Sequence, residues 1–472
     1  MNQINLLRYT LKQHLPWHCA RLNFLALFLI ALIHVRTINL SSLSIAFRRS
    51  AKPESSYKRL QRFFADFTSV RSVIVIGGGA AGFFAAISFA ETKKYNQVTL
   101  LEAGNEPLSK VKISGGGRCN VTHHCFNPSD LVTYYPRGAK ELRGAFSRFQ
   151  PQDTVKWFAE HGVKLKTEPD GRMFPITDNS QTIIDCLINT AINNGVKLLT
   201  RTPVKSVTKQ ENQFFVTLKS GEIFKSDLLL IATGSNPSGY SFAQSLGHKI
   251  IPPVPSLFTF KIKDQRLENL AGISVKNVQL KLGNTGKIRL EQQGDLLITH
   301  WGISGPVTLK LSAWGARILN ENKYKLPLII NWISNYNQET LTQKILDIKE
   351  NNSKKHIFSY SQFNLPKRLW QNLVKFVGIS EQKTWAELSK KELNKLTEEL
   401  TKGRYYIEGK GVFKEEFVTC GGVSLKEINF STMESKKCPG LYFAGEILDI
   451  DGVTGGFNFQ SAWTTGWIAG NN

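Results

Sequence analysis

The stretch that most constrains this chain is VIVIGGGAAGFFAAISFA, residues 73–90. Its four leading β-branched residues predict a strand covered on both faces, as in a parallel sheet. Gly77, Gly79 and Gly82 follow in G-x-G-x-x-G spacing, and the apolar run behind them reads as a helix. The glycines serve a tight turn, close approach of backbone to a pyrophosphate, and close helix–strand contact. The helix N-terminus then offers unpaired N–H groups and a positive dipole end to phosphates. QVTLLE (97–102) predicts the second strand, and Glu102, 25 residues after Gly77, is placed to accept hydrogen bonds from a ribose. Together these predict an α/β, Rossmann-like domain that holds a dinucleotide.

Two later segments select the nucleotide. DLLLIATG (227–234) reads as a buried strand running into a small-residue turn at Gly234. GLYFAGEILDIDGVTGGFNFQSAW (440–463) begins with a strand, and its pair Gly445-Glu446 resembles the Gly-Asp/Glu pair that flavoproteins place against the ribityl chain. Gly455 and Gly456 then open a final helix at Phe457. The N–H groups of that helix start would face a flavin ring and stabilise negative charge on its reduced form. The expected cofactor is therefore FAD. No second G-x-G-x-x-G follows a strand, so NAD(P)H is expected only as a transient co-substrate.

A family resemblance rests on ISGGGRCNVTH (113–123) with Lys110 ahead of it, on TMESKKCPGLYFAGEILDIDGVTGGFNFQSAW (432–463), on THWGISGP (299–306) and on VTCGGV (418–423). Residues 72–472 resemble bacterial NAD(P)/FAD-dependent oxidoreductases, the BaiN-like and aminoacetone oxidase flavoproteins, which include members linked to bile-acid dehydroxylation and aminoacetone oxidation. The resemblance implies that Lys110 and the loop of Gly115, Gly116, Gly117, Arg118, Asn120 and Val121 wrap the FAD, with Arg118 pairing to a phosphate or an anionic substrate. It also implies that Ala81 contacts the cofactor in the glycine turn and that Val204 contacts the adenine. Cys119 and Cys420 are read as packing residues rather than redox thiols.

The region between the ATGS turn (232–235) and VTCGGV has another texture. Short alternating stretches in 256–333, LFTFKI, VQLKL and KIRLEQQGDLLITH, read as strands with a turn at Gln293-Gly294-Asp295. Residues 337–402 switch to helical spacing, with Pro366 starting one helix. Ser389 and Glu392 form a capping box ahead of Leu393, Leu396 and Leu400, and Gly403 stops that helix. The resemblance makes this an insert domain (256–411), a β-barrel to about 333 and a helical part from about 334, within an FAD domain of 72–255 and 412–472. Such an insert would roof the flavin. His300 is read as a satisfied structural histidine rather than a pocket residue.

The first 71 residues hold 11 of the 60 Lys/Arg and two of the 37 Asp/Glu, a net of +9, and the remaining 401 residues carry +14. Residues 1–67 resemble the N-terminal part of IS4-type transposases, which implies a mobile-element fragment fused ahead of the flavoprotein. Two or three short helices are expected there. One is apolar at 22–35, and another carries Leu60, Phe63, Phe64 and Phe67 on one face beside Lys58, Arg59 and Arg62. The carboxylates that such transposases use lie beyond the resemblance, so this segment is expected to add no catalysis.

Six cysteines without C-x-x-C or zinc spacing predict neither a disulfide framework nor a metal site, and place the chain in a reducing compartment, the cytoplasm. The apolar run FLALFLIALI is ten residues, too short to span a bilayer. The expected activity is FAD-dependent hydride transfer at flavin N5 with a small organic substrate. No membrane partner and no nucleic acid are expected for residues 72–472. The alternatives are a flavin-dependent RNA-modifying protein, or a DNA-binding fusion acting through residues 1–71.

Overall fold

Strand order makes the crevice. Five parallel strands, β1 (Ser72–Ile76), β2 (Gln97–Leu101), β3 (Lys197–Leu199), β4 (Leu228–Ile231) and β5 (Leu441–Phe443), lie in the order β3-β2-β1-β4-β5. The order reverses between β1 and β4, which opens a ligand crevice beyond their C-terminal ends. The computed structural model describes residues 3–15, 18–47, 53–67, 71–92, 97–286, 288–359, 361, 363–411 and 418–471. The chain divides into two units, Met1–Val70 and Arg71–Asn472.

Among the described residues of the first unit four helices, Gln3–His14, Cys19–Val35, Leu40–Ala46 and Pro53–Phe67, surround a small core of Phe24, Leu25, Ala31, Leu43, Leu60 and Phe63. Helix Gln3–His14 exceeds the expected number, because it lacks an acidic first turn and a strong apolar stripe. Asn39 caps Leu40–Ala46 by accepting from the Ser41 N–H at 2.9 Å. Arg59 stacks on the Phe24 ring at 5.2 Å. The side chains of Arg62, Phe64 and Phe67 lie outside the described residues. Among the described residues no single helix is long and apolar enough to cross a membrane.

In the second unit, Val73, Ile74, Val75 and Ile76 are all buried, as a strand flanked by parallel neighbours and covered by helices requires. Helix α1 (Ala80–Glu91) is buried continuously from Ala81 to Phe89. It lies against helix α2 (Phe457–Gly470), which is itself buried nearly all round. A Cβ at Gly466 would reach within 2.6 Å of the Ala81 carbonyl, and one at Gly470 within 2.7 Å of that of Ala85, so the helices touch backbone to backbone. Gly466 faces Ala81–Ala85 and Gly470 faces Ala85–Phe89, which makes the two helices parallel. In that register α2 starts about six residues before α1, so its first turn projects about 9 Å further along the crevice.

The insert leaves β4 through strand Ile250–Ser256 and returns through Val418–Val423, which pair antiparallel with a bulge at Pro252-Pro253. It has its own apolar core, which includes Trp332, Trp370 and Trp385. Seven antiparallel strands form its sheet, with Gly403–Ile407 at one edge and Gly409–Lys410 at the other. One residue of chain separates these edges, so the sheet coils until its ends meet. Hydrogen bonding joins the described strands in a linear order, which by itself does not show the β-barrel expected from sequence.

Two corrections follow. Gln293-Gly294-Asp295 is no turn but lies within strand Glu291–Thr299. The chain reverses instead near Gly283-Asn284 and Gly286, all short of Glu291. The irregularity at Gly294 is absorbed by a bulge in the facing strand between Val275 and Val278, where Asn277 has φ +56°. Residues 306–321 are also helical, Pro306–Trp314 and Ala316–Glu321, because Pro306 at the first helical position pre-sets its φ. Helix Lys367–Phe376 begins right after Pro366, and Lys390–Lys402 carries the Ser389/Glu392 capping box with Leu396 and Leu400 buried.

The insert is pinned to the sheet domain around the buried Asp451 and its partner Arg137, beside the Arg317–Asp449 pair at 3.5 Å. Asp451, just before α2, pairs through both carboxylate oxygens with Arg137 and accepts from Ser256 Oγ at 2.7 Å. Arg137 also donates to the Ala313 carbonyl of the insert at 2.6 Å. Burial pushes the Asp451 carboxyl upward while Arg137 and Ser256 oppose it. Substituting Arg137→Met strands a buried carboxylate and is expected to cost about 3–5 kcal/mol in chemical unfolding, with Arg137→Met/Asp451→Leu recovering most of the loss. Equal stability of the single variant and the parent protein refutes this role.

Candidate functional site

The turn after β1 closes the crevice floor. The Gly77 N–H donates to the Leu101 carbonyl at 2.9 Å, and the Ala232 N–H after β4 donates to that of Ile76 at 2.8 Å. Gly77 has φ +110°, and a Cβ on it would overlap the Ala232 carbonyl, so only glycine fits. A Cβ on Gly82 would overlap the Gly77 carbonyl, which leaves helix and turn in direct contact. Gly79 caps α1 without a side-chain hydrogen bond and has open space where its Cβ would be. The first N–H groups of α1 therefore face the crevice unmasked.

Glu102 stands beside this turn. Its carboxylate accepts from the Gly78 N–H at 2.8 Å and from the Gly104 N–H at 2.6 Å. Gly78, which the sequence reading did not single out, holds the acid in place. Thr202 donates its N–H to the Glu102 carbonyl at 2.9 Å, which brings Val204, two residues on and buried, to the same end of the crevice. These residues suit the ribose and adenine end of a dinucleotide.

The SGGGRCN loop forms the opposite wall. Helix Ser109–Gly117 is broken at Ser114, and Gly115, Gly116 and Gly117 follow with φ of +57°, +70° and +85°. At Gly115 a Cβ would press on Phe174 at 2.9 Å, whereas at Gly116 and Gly117 it would meet nothing within 4 Å. The loop thus turns bare backbone towards open space, as a cradle for an extended ligand does. Lys110, ahead of the loop, pairs with Glu446 at 2.7 Å, and the other Glu446 oxygen accepts from the Thr419 N–H at 3.0 Å. A Cβ on Gly234 would lie 3.5 Å from Glu446, so Lys110, Gly234 and Glu446 meet at one point. Gly445, with its N–H on Thr465 Oγ1 at 2.9 Å, packs against Ala81.

The start of α2 completes the far end. Gly456 caps it without a side-chain hydrogen bond, and a Cβ there would crowd the Thr122 carbonyl and approach Asn120 Oδ1 at 2.9 Å. Val121 is buried, and its carbonyl accepts from Trp463 Nε1 at 2.9 Å. A buried network of Thr122, Thr154 and Gln460 (Oγ1–Oε1 2.6 and 2.9 Å) locks this loop to α2. Spacing carries no signal for it, because its members lie more than 300 residues apart or in separate elements.

Several expected contacts are placed differently. Arg118 pairs with Glu168 at 2.6 Å and Asp178 at 3.4 Å and stacks on Phe174 at 4.0 Å, so its charge is already answered within the loop. Phe457 is buried in a stack with Tyr134 (4.3 Å) and His123 (4.7 Å), and its carbonyl accepts from Tyr135 at 2.6 Å. His300 is exposed at a strand end rather than a buried structural histidine. Burial pushes the Cys119 thiol up to about 12 and that of Cys420 up to about 11, which keeps both protonated and confines them to packing.

The residues fit FAD. A dinucleotide is anionic at its centre and long, and the crevice offers two uncapped helix starts staggered by about 9 Å with bare backbone at Gly79, Gly116 and Gly117.

Residues 71–472 match the family model described as HI0933-like protein Rossmann domain. A ribosomal RNA dihydrouridine synthase of Escherichia coli (strain K12) is 31% identical over 84% of this chain and 96% of its own length. One of the same description from Haemophilus influenzae is 31% identical over 84% and 96%. A 3-dehydro-bile acid delta(4,6)-reductase of Clostridium scindens is 29% identical over 84% and 97%.

Gly116→Ala tests the cradle. Its Cβ meets no protein atom, so the fold bears only the left-handed backbone cost of about 1 kcal/mol, while FAD affinity measured by fluorescence titration is expected to fall at least ~10-fold. Gly162→Ala, at φ +83° with equally open space, is the strain-matched control and is expected to keep its flavin. Equal affinities in the two variants remove the loop from the cofactor site.

Proposed function

The chain belongs to the HI0933-like family of Rossmann-domain flavoprotein oxidoreductases, and we propose that it is an FAD-dependent reductase that saturates the C5=C6 bond of a uridine in ribosomal RNA. The observation that carries the flavin chemistry is the pair of staggered, uncapped helix starts in one crevice. Once reduced by NAD(P)H, a bound FAD would supply the hydride from N5, with a proton from solvent balancing the addition. The chain's own residues do the rest. Glu102 and the turn at Gly77–Gly79 hold the adenosine side, and Glu446 orients the middle of the cofactor. The N–H groups at the start of α2 stabilise the negative charge that the reduced ring carries.

The activities named for the relatives share one reaction type. Dihydrouridine formation and delta(4,6) reduction of a 3-dehydro compound both saturate carbon–carbon double bonds conjugated to a carbonyl. Two considerations favour the ribosomal substrate. Two relatives so named are 31% identical against 29% for the Clostridium scindens relative at equal coverage of this chain, and residues 72–472 carry a net charge of +14, which suits a polyanion better than a small acid. A small conjugated ketone is the second reading, favoured by the Clostridium scindens relative. NAD(P)H, visiting and leaving, is the proposed reductant. Residues 1–70 lie outside the family match, and the mobile-element origin suggested by their sequence is our reading of them.

The experiment incubates the full chain with FAD, NADPH or NADH and a protein-free ribosomal RNA transcript, then digests the RNA to nucleosides for mass spectrometry. A two-hydrogen increment on uridine supports the proposal. Flavin that bleaches with the nucleotide, leaves uridine unchanged and turns over on a 3-oxo-delta(4,6) steroid selects the small-substrate reading. Deleting residues 1–70 is expected to leave bound FAD per chain unchanged.

A further inference from the structure

The insert contributes more than a roof. Along its coiled sheet, side chains alternate between the insert core and an outer face. Strand Gly403–Ile407 buries Tyr405 and Ile407 and exposes Arg404 and Tyr406. Lys281, Ile329 and Arg404 are direct cross-strand partners, so the two cations share that outer face. Across the meeting edges, Lys261 pairs with Gly409 on one side and with Gly302 on the other. Ile262 is buried, which turns Lys263 to the same outer side as Lys261. Trp301, next to Gly302 in the THWGISGP segment, is 39% exposed, and Tyr406 is 51% exposed.

At the other end of this face lies a groove of about 610 Å³ lined by amides, among them Gln279 and Asn331, with Lys281 on its wall. Acids are sparse. Glu291 and Glu339 line the groove, Glu291 paired with Arg289 at 2.7 Å; Asp264 is tied to the buried Arg266 at 2.6 Å, and Glu408 lies on the exposed strand. A surface of spaced cations, two exposed aromatic rings and a wall of amides has the chemistry of a single-stranded nucleic acid site. Cations track phosphates, rings stack on bases, and amides meet base edges. A small conjugated ketone has no use for such an extended face.

We propose that the outer face of the insert sheet, from the groove beside Lys281 to the corner at Trp301, docks the single-stranded RNA flanking the reduced uridine. This rests on the ribosomal reading above. The six contributing residues are Lys261, Lys263, Lys281, Trp301, Arg404 and Tyr406. None belongs to the crevice that holds the cofactor.

The test measures binding of a protein-free ribosomal RNA transcript to the full chain across a salt series. Lys261→Ala/Lys263→Ala/Lys281→Ala/Arg404→Ala is expected to weaken binding at least ~10-fold and to reduce the salt slope by about 3. Lys375→Ala/Lys390→Ala/Lys391→Ala/Lys395→Ala removes equal charge from exposed helical positions of the insert and is expected to change both far less. Trp301→Ala is expected to weaken binding about 5- to 100-fold with little change in slope, and Trp301→Phe to restore most of it. Bound FAD per chain, read from the visible spectrum, reports whether each variant is folded.

Two outcomes overturn the proposal and differ from one another. If the parent chain binds RNA and both quadruple variants lose affinity equally, the sheet face is not the docking site, although the ribosomal reading stands. If the parent chain does not bind the transcript at all, the ribosomal reading fails and this site falls with it.

Discussion

The site depends on two helices that touch without side chains between them. Gly466 and Gly470 of α2 lie on the backbone of α1 at Ala81 and Ala85, and Gly82 brings α1 onto the Gly77 turn. Any side chain at these contacts separates the helices and changes how far one helix start leads the other. That offset matters because the covalent chain of a dinucleotide limits how far apart its phosphates and its ring can lie. Its phosphates and its ring meet their N–H groups together only when the stagger matches. The two helices can sit this deep because α1 is apolar on nearly every side and the buried Gln460, Thr464 and Thr465 of α2 are hydrogen-bonded.

Charge is used in two opposite ways around this frame. Arg137 and Asp451 are buried, mutually bonded and supported by Ser256 and the Ala313 carbonyl, so removing one partner leaves an unanswered ion in a dry place. With Ser256 and Ala313 they join four chain segments that are far apart in sequence and hold the insert against the flavin domain. Lys110 and Glu446 instead meet at the crevice, with Lys110 54% exposed, where an ion pair contributes little. Such a pair reorganises at small cost when a ligand with hydroxyls and phosphates arrives. The thiols near the site are held protonated by burial, which leaves the electron chemistry to the cofactor.

The insert repeats the logic of separated faces. Its inner face supplies an apolar core with three buried tryptophans, and its outer face keeps lysine, arginine, tyrosine and amides in solvent. Coiling the sheet until its edges lie one residue apart leaves little unpaired edge, and it also joins Arg404 and Tyr406 to Lys261 and Trp301 in one surface. The cofactor crevice and this surface are built from different elements, so each tolerates changes that the other does not.

Local sequence determined what depends on near neighbours. The β1 strand, the Gly77–Gly82 turn, Glu102 after β2, the glycine start of α2 and the Ser389/Glu392 cap were legible because each is set by residues within a few positions. The resemblance carried by SGGGRCN and TGGFN added the flavin. Only the tertiary structure decided what depends on partners far along the chain. Arg118 turns to Glu168 and Asp178, the Phe457 ring is buried against Tyr134 and His123, and Arg137 finds Asp451. The strand through Gly294 was misread as a turn because the compensating bulge sits on another strand. A side chain's partner across 50 to 300 residues is chosen by packing, and packing energy belongs to the whole fold rather than to any short stretch of it.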